Sequence, residues 1–401
     1  MLLVSLIILF KTPYPKYLKI GLHFSYYFLF EYGMIARNYG IEILLLFALI
    51  YLVTSNKKSF FLIGITVFFL FQTHIFSMII GIPILAIYGI KLFKNKDEKI
   101  DKRALILLCF SIIISIIASL KAMQGSEDNY HTSLRRDAFS FEKLVYSSLH
   151  LVSSIHTIPR QFNVQFWNTH LEIKNYKLIV FLILTLLIFR FKSNLPPLIG
   201  IISTYMMFIL FFTIKYEGSL RHHGHLFITL LLYYWLILHH EGSRPDANVS
   251  IRKIFNLFII FAITCQIYVG LFAWYVDIKN VFSNSLNAAN FIKNKYENDA
   301  LVIVSNDYNA SMFSSYLNQK VYFPNIEEWG SYTKFSTKLK MKNEFQLDSI
   351  CKNALDTSSA KILLVHNVTL QNDSLRLQQI QTFSNAIVGS ENFYIYEKNK
   401  K

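Results

Sequence analysis

A chain of 401 residues that is 53% hydrophobic and only 16% charged is too apolar for a water-soluble domain. Its net charge of +15 does not mark a nucleic-acid binder, because the Lys and Arg sit largely in short loops between long apolar blocks. The three cysteines, with Cys109 and Cys265 inside apolar blocks, supply neither a disulfide framework nor metal-ligand spacing.

Met1–Phe10 has no basic n-region and no small-residue cleavage site, so it reads as a helix entered part-way rather than a signal peptide. Pro13 and Pro15 stop it. Tyr17–Phe30 is an apolar, aromatic run that spans with help from its flanks or lies along the interface. Glu31 and Arg37 then stand six residues apart at the mouth of the Ile41–Val53 run, where Glu42 is the single further charge. Charges here are expected at the water interface, since one at mid-bilayer costs roughly 2.5–3.5 kcal/mol or more. Phe60–Phe71 and Ile75–Ile90 are split at Gln72-Thr73-His74, and Ala104–Leu120 is a clear span. A polar segment over Lys121–Asn175 contains Arg135-Arg136-Asp137, His170 and an amphipathic stretch, Phe141–His156. Tyr176–Phe189, Leu198–Ile214, Leu226–Leu238 and Ile254–Tyr275 complete the apolar blocks, about ten in all, of which about eight are secure at the usual length of roughly 20 residues. The expected fold is therefore a polytopic α-helical membrane domain over 1–280, followed by a small α/β domain over 285–401.

In that domain Leu301–Val304 and Ile362–Val365 read as buried strands and Phe393–Tyr396 as an edge strand. Leu286–Tyr296, Ala310–Leu317, Glu344–Ala354 and Ser374–Phe383 read as helices. No Gly-rich nucleotide loop follows either buried strand.

Basic loops set the topology. Lys57-Lys58, Lys91–Arg103, Arg190/Lys192 and Arg244/Arg252/Lys253 face the cytoplasm. Alternate threading then puts Glu31–Arg37, Thr73-His74, Lys121–Asn175, Lys215–His225 and everything after Asp277 outside. This describes a multi-pass protein of the cytoplasmic membrane with an extracytoplasmic C-terminal domain. All the histidine-bearing and aromatic loops gather on one face.

Three features on that face bear chemistry. Arg37 and Arg221 have guanidiniums shaped to fork onto a phosphate or carboxylate, with His222, His223 and His74 as further donors. For the Arg37 stretch alone a snorkelling arginine explains the sequence more plainly, while for the Arg221 loop anion binding ranks just ahead of an interfacial belt of polar residues. A metal site on His222 and His225, spaced i, i+3, is the weakest alternative because zinc wants a third ligand. In the C-terminal domain Glu328, Trp329 and Tyr332 mix acid and aromatic character, as a sugar-contacting rim or a docking surface does.

The order of these features resembles the GT-C superfamily of membrane glycosyltransferases, the group that includes protein O-mannosyltransferases and the lipid A aminoarabinose transferase. The similar segments are Tyr26–Tyr39, Thr73-His74, Arg221-His222-His223-Gly224 and Tyr322–Ser331. The resemblance implies transfer of a sugar from a polyprenyl-phosphate donor to a glycan, lipid or protein acceptor at the outer face. It implies no cofactor; a divalent metal is unsupported by the residues. The family's acidic residue in a first outer loop has no counterpart, as if the chain lacked a first span, and Glu31 is the carboxylate that remains for the catalytic role. Two other readings stay open: a transporter of lipid-linked or anionic glycans, and an outer-face glycan ligase or polymerase.

Overall fold

A computed structural model describes residues 1–35, 38–55, 59–94, 102–123, 140–169, 171, 185, 195–241, 249–296, 299–333, 340–357, 360–371 and 377–398. These fall into two compact units. The first holds the described residues of 1–123, 140–160 and 168–274; the second holds 161–167 and those from Tyr275 onward.

The first unit is helical. Its elements are α1 (Leu2–Lys11), α2 (Lys16–Phe24), a π-helical turn (Tyr27–Glu31), α3 (Tyr39–Thr54), α4 (Phe60–Thr73), α5 (Ile75–Lys94), α6 (Lys102–Met123), α7 (Phe141–Ser153), α8 (Leu195–Ile214), the short α9 (Leu220–His223), α10 (His225–Glu241) and α11 (Val249–Lys279). Among the described residues, three segments are long and apolar enough to cross a membrane: Ile75–Leu92, Leu195–Ile214 and Phe255–Lys279. Shorter apolar helices cover Leu2–Lys11, Tyr39–Thr54, Phe60–Thr73 and Leu108–Lys121. Their outer faces carry large bare side chains, such as Phe61 at 71% and Leu257 at 65% exposure, which suit a hydrocarbon surround.

With no water to satisfy backbone groups in lipid, helices are the economical spanning form, and polar side chains tie them together. Gln72 donates to the Ser115 carbonyl and to Ser119 Oγ, and Ser119 donates to the Phe71 carbonyl, which joins α4 to α6. Tyr14 donates to the Leu231 carbonyl at 2.6 Å, joining the Pro-rich turn to α10. Ser59 and Ser140 cap α4 and α7 by accepting from Leu62 N and Lys143 N.

The Tyr17–Phe30 run is not one helix. α2 ends at Phe24, where Ser25 turns extended and donates to the Leu22 carbonyl. The chain restarts as the π-helical turn. This turn lies tight against two glycines. A Cβ on Gly270 would stand 2.5 Å from the Phe24 carbonyl oxygen, and one on Gly224 would stand 2.2 Å from the Tyr27 ring. The span expected over Tyr176–Phe189 lies outside the described residues except for Thr185, as do Lys57-Lys58, Arg135-Arg136-Asp137, His170, Arg190, Lys192 and Arg244.

The second unit is built on a six-stranded sheet with order β3-β2-β1-β4-β6-β5. Its strands are β1 (Ala300–Val304), β2 (Val321–Phe323), β3 (Glu328–Gly330), β4 (Lys361–His366), β5 (Leu377–Phe383) and β6 (Phe393–Lys398). β1 pairs in parallel with both β2 and β4; β3 runs antiparallel to β2, and β6 lies antiparallel between β4 and β5. Alternation along β1 and β4 sends Val302, Val304, Leu363 and Val365 to one face, under α12 (Ser285–Tyr296) and α13 (Asp307–Leu317). Ile303, Ile362 and Leu364 go to the other face, under Leu347 and Cys351 of α14 (Glu344–Thr357).

Two expectations are corrected here. Phe393–Tyr396 belongs to an inner strand, β6, and the edge is β5. The helix expected over Ser374–Phe383 is a strand over its described residues, Leu377–Phe383: Leu377, Ile380 and Phe383 repeat every third residue, which imitates a helical face. A bulge between Gln379 and Gln381 explains the imitation, because it lets Ile380 and Phe383 pack on the face opposite to Leu377.

Candidate functional site

Polar side chains converge in the helical unit where four chain segments meet: the turn Ser25–Tyr32, the start of α3, the α4–α5 break at His74, and the stretch Ser219–His225. The break follows from sequence. Thr73 turns its hydroxyl to the Leu70 carbonyl, and His74 adopts an extended conformation that ends α4. Asn38 donates to the Thr73 carbonyl at 2.7 Å and holds the break beside α3.

At the centre is a buried acid–imidazole pair. Glu42, in the first turn of α3, and His225, the first residue of α10, both have fully buried side chains, with Oε2 and Nε2 3.1 Å apart. His225 Nδ1 lies 3.0 Å from the His222 carbonyl oxygen. A carbonyl only accepts, so Nδ1 carries a hydrogen, and Nε2 is the ring atom that faces Glu42. The amino end of α3 favours the anion. The other carboxylate oxygen, Oε1, is buried with no hydrogen-bond partner among the described residues.

Aromatic rings wall this pair. Tyr39 lies 5.5 Å from the rings of both His74 and His225, His74 stacks over His225 at 6.3 Å, and Phe76 packs 4.7 Å from His225. Burial lowers the His74 pKa to about 4. His222 is lowered to about 2, by burial first and then by the Arg221 charge and the neighbouring imidazoles. Both rings are neutral at pH 7. The Ser219 N–H donates to His222 Nδ1 at 3.0 Å, which leaves the hydrogen of the neutral ring on Nε2.

Glu31 ends the π-helical turn. It is 1% exposed and accepts a 2.8 Å hydrogen bond from the Tyr26 hydroxyl. Burial chiefly, and the Glu31 charge next, hold that hydroxyl well above the usual tyrosine range, while the Arg221 guanidinium acts in the opposite direction. Arg221 is half-buried on α9, and its carbonyl accepts from Tyr32 at 2.6 Å. His223 is buried, lies 3.1 Å from the Glu217 carbonyl oxygen and sets its ring edge-on to Phe212.

The structure thus brings His74 and His222 together with His225 and Glu42, and puts Glu31 and Arg221 within electrostatic reach of Tyr26. Arg37 lies outside the described residues. Glu328, Trp329 and Tyr332 belong to the second unit: Glu328 and Trp329 stand on β3, Tyr332 follows it, and all three are exposed. Among the described residues no group of three His, Cys, Asp or Glu is arranged to hold a metal ion. The His222/His225 spacing offers none, since both His225 nitrogens already face oxygen atoms.

Sequence reasoning gave Glu42 no partner; the structure buries its carboxylate against His225. One signal pointed to it, a lone acid within an apolar run, since such residues in membrane segments are expensive and turn inward to a partner. The tyrosines 26, 27 and 32 carried no such signal. Tyr27 donates to the Ser154 carbonyl at 2.8 Å and stacks on Tyr32 at 5.2 Å, so they fix the shape of the turn.

No family model matches the chain, and neither does any curated protein or solved structure.

Proposed function

We propose that this protein is an integral membrane glycosyltransferase that moves a sugar from a polyprenyl-phosphate donor to an acceptor at the outer face of the membrane. The observation that carries the reading is the buried Glu31 carboxylate, held by the Tyr26 hydroxyl at 2.8 Å in a site whose electrostatics the Arg221 guanidinium also reaches. Such a transfer needs both. Glu31 takes the proton of the acceptor hydroxyl as the acceptor oxygen bonds to the anomeric carbon. The bond from that carbon to the phosphate oxygen breaks, and its electron pair leaves on the lipid phosphate. Arg221 neutralises the departing charge, and the neutral His222 lends a further N–H. The basic-loop count places this site, and the second unit, outside the cytoplasm.

The test uses the full chain in lipid nanodiscs with radiolabelled polyprenyl-phosphate sugars and a mixed glycan acceptor. Wild-type protein releases polyprenyl phosphate; Glu31→Gln and Arg221→Lys each reduce release at least a hundredfold with unchanged membrane yield. Full release from both variants would sink the assignment.

A transporter reading has one observation in its favour, the buried Glu42–His225 contact inside the helical unit. Proteoliposomes separate the two. Proton-coupled uptake of a lipid-linked glycan, lost in Glu42→Gln and without bond cleavage, supports the transporter.

A further inference from the structure

The second unit begins on the last candidate span. That span closes at Lys279, while the unit itself starts at Tyr275, so the membrane boundary falls on the unit's own first residues. The link from Lys279 to Ser285, where α12 starts, reaches no more than about 20 Å. Hydrogen bonds show which end of the sheet the chain enters. The Asn284 N–H donates to the Glu391 carbonyl at 3.2 Å, and the Asn309 amide, in the first turn of α13, donates to the Ser390 carbonyl at 3.1 Å. α13 starts where β1 ends, so the chain arrives at the carboxyl ends of the parallel strands β1, β2 and β4.

The same end carries an apolar patch at the corner of β2, β3 and α14. Trp329 stands opposite Tyr322 across the β2–β3 pair, with ring centroids 5.2 Å apart. Tyr322 packs on the α14 side of the sheet, so Trp329 lies on that side too, and alternation sends Glu328 to the other. Residues 340–342 are pinned beside this corner: the Lys340 N–H donates to the Asn325 carbonyl and the Lys342 N–H to Asn325 Oδ1, both at 2.9 Å. Met341, held between them, is 74% exposed. Phe345, in the first turn of α14, is 62% exposed, and Trp329 is 43% exposed. Lys340 is exposed at the rim, and Lys342 is paired with Glu327. Large apolar side chains turned outward together on adjoining elements cost hydration free energy unless apolar matter covers them. Tryptophan and phenylalanine beside a lysine suit the headgroup level of a bilayer, with the rings among the acyl chains and the ammonium among the phosphates.

We propose that this corner, with Trp329, Met341 and Phe345 at its tip and Lys340 at its rim, dips into the phospholipid surface on which the second unit is tethered, giving the unit a second hold on the bilayer besides its span. The contact depends on the membrane fold and not on the transfer reading. Spin labelling tests it on the full chain in nanodiscs of phosphatidylcholine and phosphatidylglycerol. Cys109 and Cys265 are replaced by alanine, and Cys351 is buried and left in place. Single labels go on Met341→Cys, on Phe345→Cys and, as the reference, on Tyr316→Cys, an exposed position in the last turn of α13 at the opposite end of the unit. Collision with oxygen, which partitions into hydrocarbon, is compared with collision with a nickel chelate, which stays in water. The oxygen-to-nickel ratio is expected to be about threefold higher or more at 341 and 345 than at 316. Adding Trp329→Ser and Phe345→Ser to the Met341→Cys protein should lower its ratio at least twofold. Ratios at 341 and 345 equal to that at 316 overturn the proposal. So do labels at 341 and 345 shielded from both reagents, because a protein surface, such as a second copy of this chain, then covers the patch.

Discussion

Glu42 and Asp307 are both acids buried at the start of a helix, one in each unit, and they are treated differently. Glu42, at the mouth of an apolar helix, faces a fully buried imidazole at 3.1 Å. Asp307, in the α/β unit, has no ionic counter-group among the described residues and lies beside the neutral donors of Asn325. Where lipid surrounds the fold, an unmatched charge has no water to fall back on, so the counter-group is built in. Where water is the surrounding medium, a buried acid can be held by neutral amide donors alone, with its charge cost met in part by taking up a proton. Glu31 is an intermediate case, steadied by the Tyr26 hydroxyl at 2.8 Å.

The largest effect is expected from splitting the Glu42–His225 pair. His225→Ala leaves a buried acid alone and should lower stability by about 3–5 kcal/mol, the usual cost of breaking a buried pair. Replacing both residues with leucine should recover most of that loss. Thermal unfolding in nanodiscs measures both variants, and a double variant no better than the single one would break the comparison.

Tyr26→Phe removes one hydrogen bond to a carboxylate and should cost about 1.5–3 kcal/mol. The same melting assay reads it, with membrane yield as a check on insertion.

Asp307→Asn should do the reverse and stabilise. Burial raises the Asp307 pKa from its ordinary 3.8 to about 6. The folded state therefore holds more protons than the unfolded state across that window, and stability falls as pH rises from about 4 to 6. The Asn variant should gain about 1–2 kcal/mol at pH 7, less than the roughly 3 kcal/mol the full displacement carries, since the amide is buried too. The gain should vanish below about pH 4, which urea titrations at pH 4 and pH 7 compare directly. A pH-independent difference would mean that Asp307 is not a strained acid.

The smallest effect belongs to Trp329→Ala. Trp329 is an exposed β3 residue whose ring meets Tyr322 at 5.2 Å, and stability should stay within about 0.5 kcal/mol.

Local signals carried far in this chain. The apolar runs around His74 became α4 and α5 with the break in place, and the amphipathic Phe141 stretch became a capped helix. Leu301–Val304 and Ile362–Val365 became the parallel centre of the sheet. Signals that depend on distant partners did not show. Nothing local says that Phe393–Tyr396 is flanked on both sides, or that a bulge lets Leu377, Ile380 and Phe383 sit in a strand. In the helical unit, the residues around Arg221 and His222 were legible because charges and histidines crowd one loop. The pairing of Glu42 went unseen because its partner lies 183 positions away, a relation that no periodicity records.

That separation sets an order of events during synthesis. The ribosome delivers Glu42 long before it makes His225, so α3 meets the membrane insertion machinery with its acid uncompensated. A carboxyl that has taken up a proton enters hydrocarbon far more cheaply than a carboxylate. The early intermediate should therefore hold Glu42 neutral, and α3 should settle only loosely until α10 emerges. Arrival of His225 then latches an earlier-made helix to a later-made one, so quality control that senses an unlatched α3 would survey nearly half of the chain in a single contact.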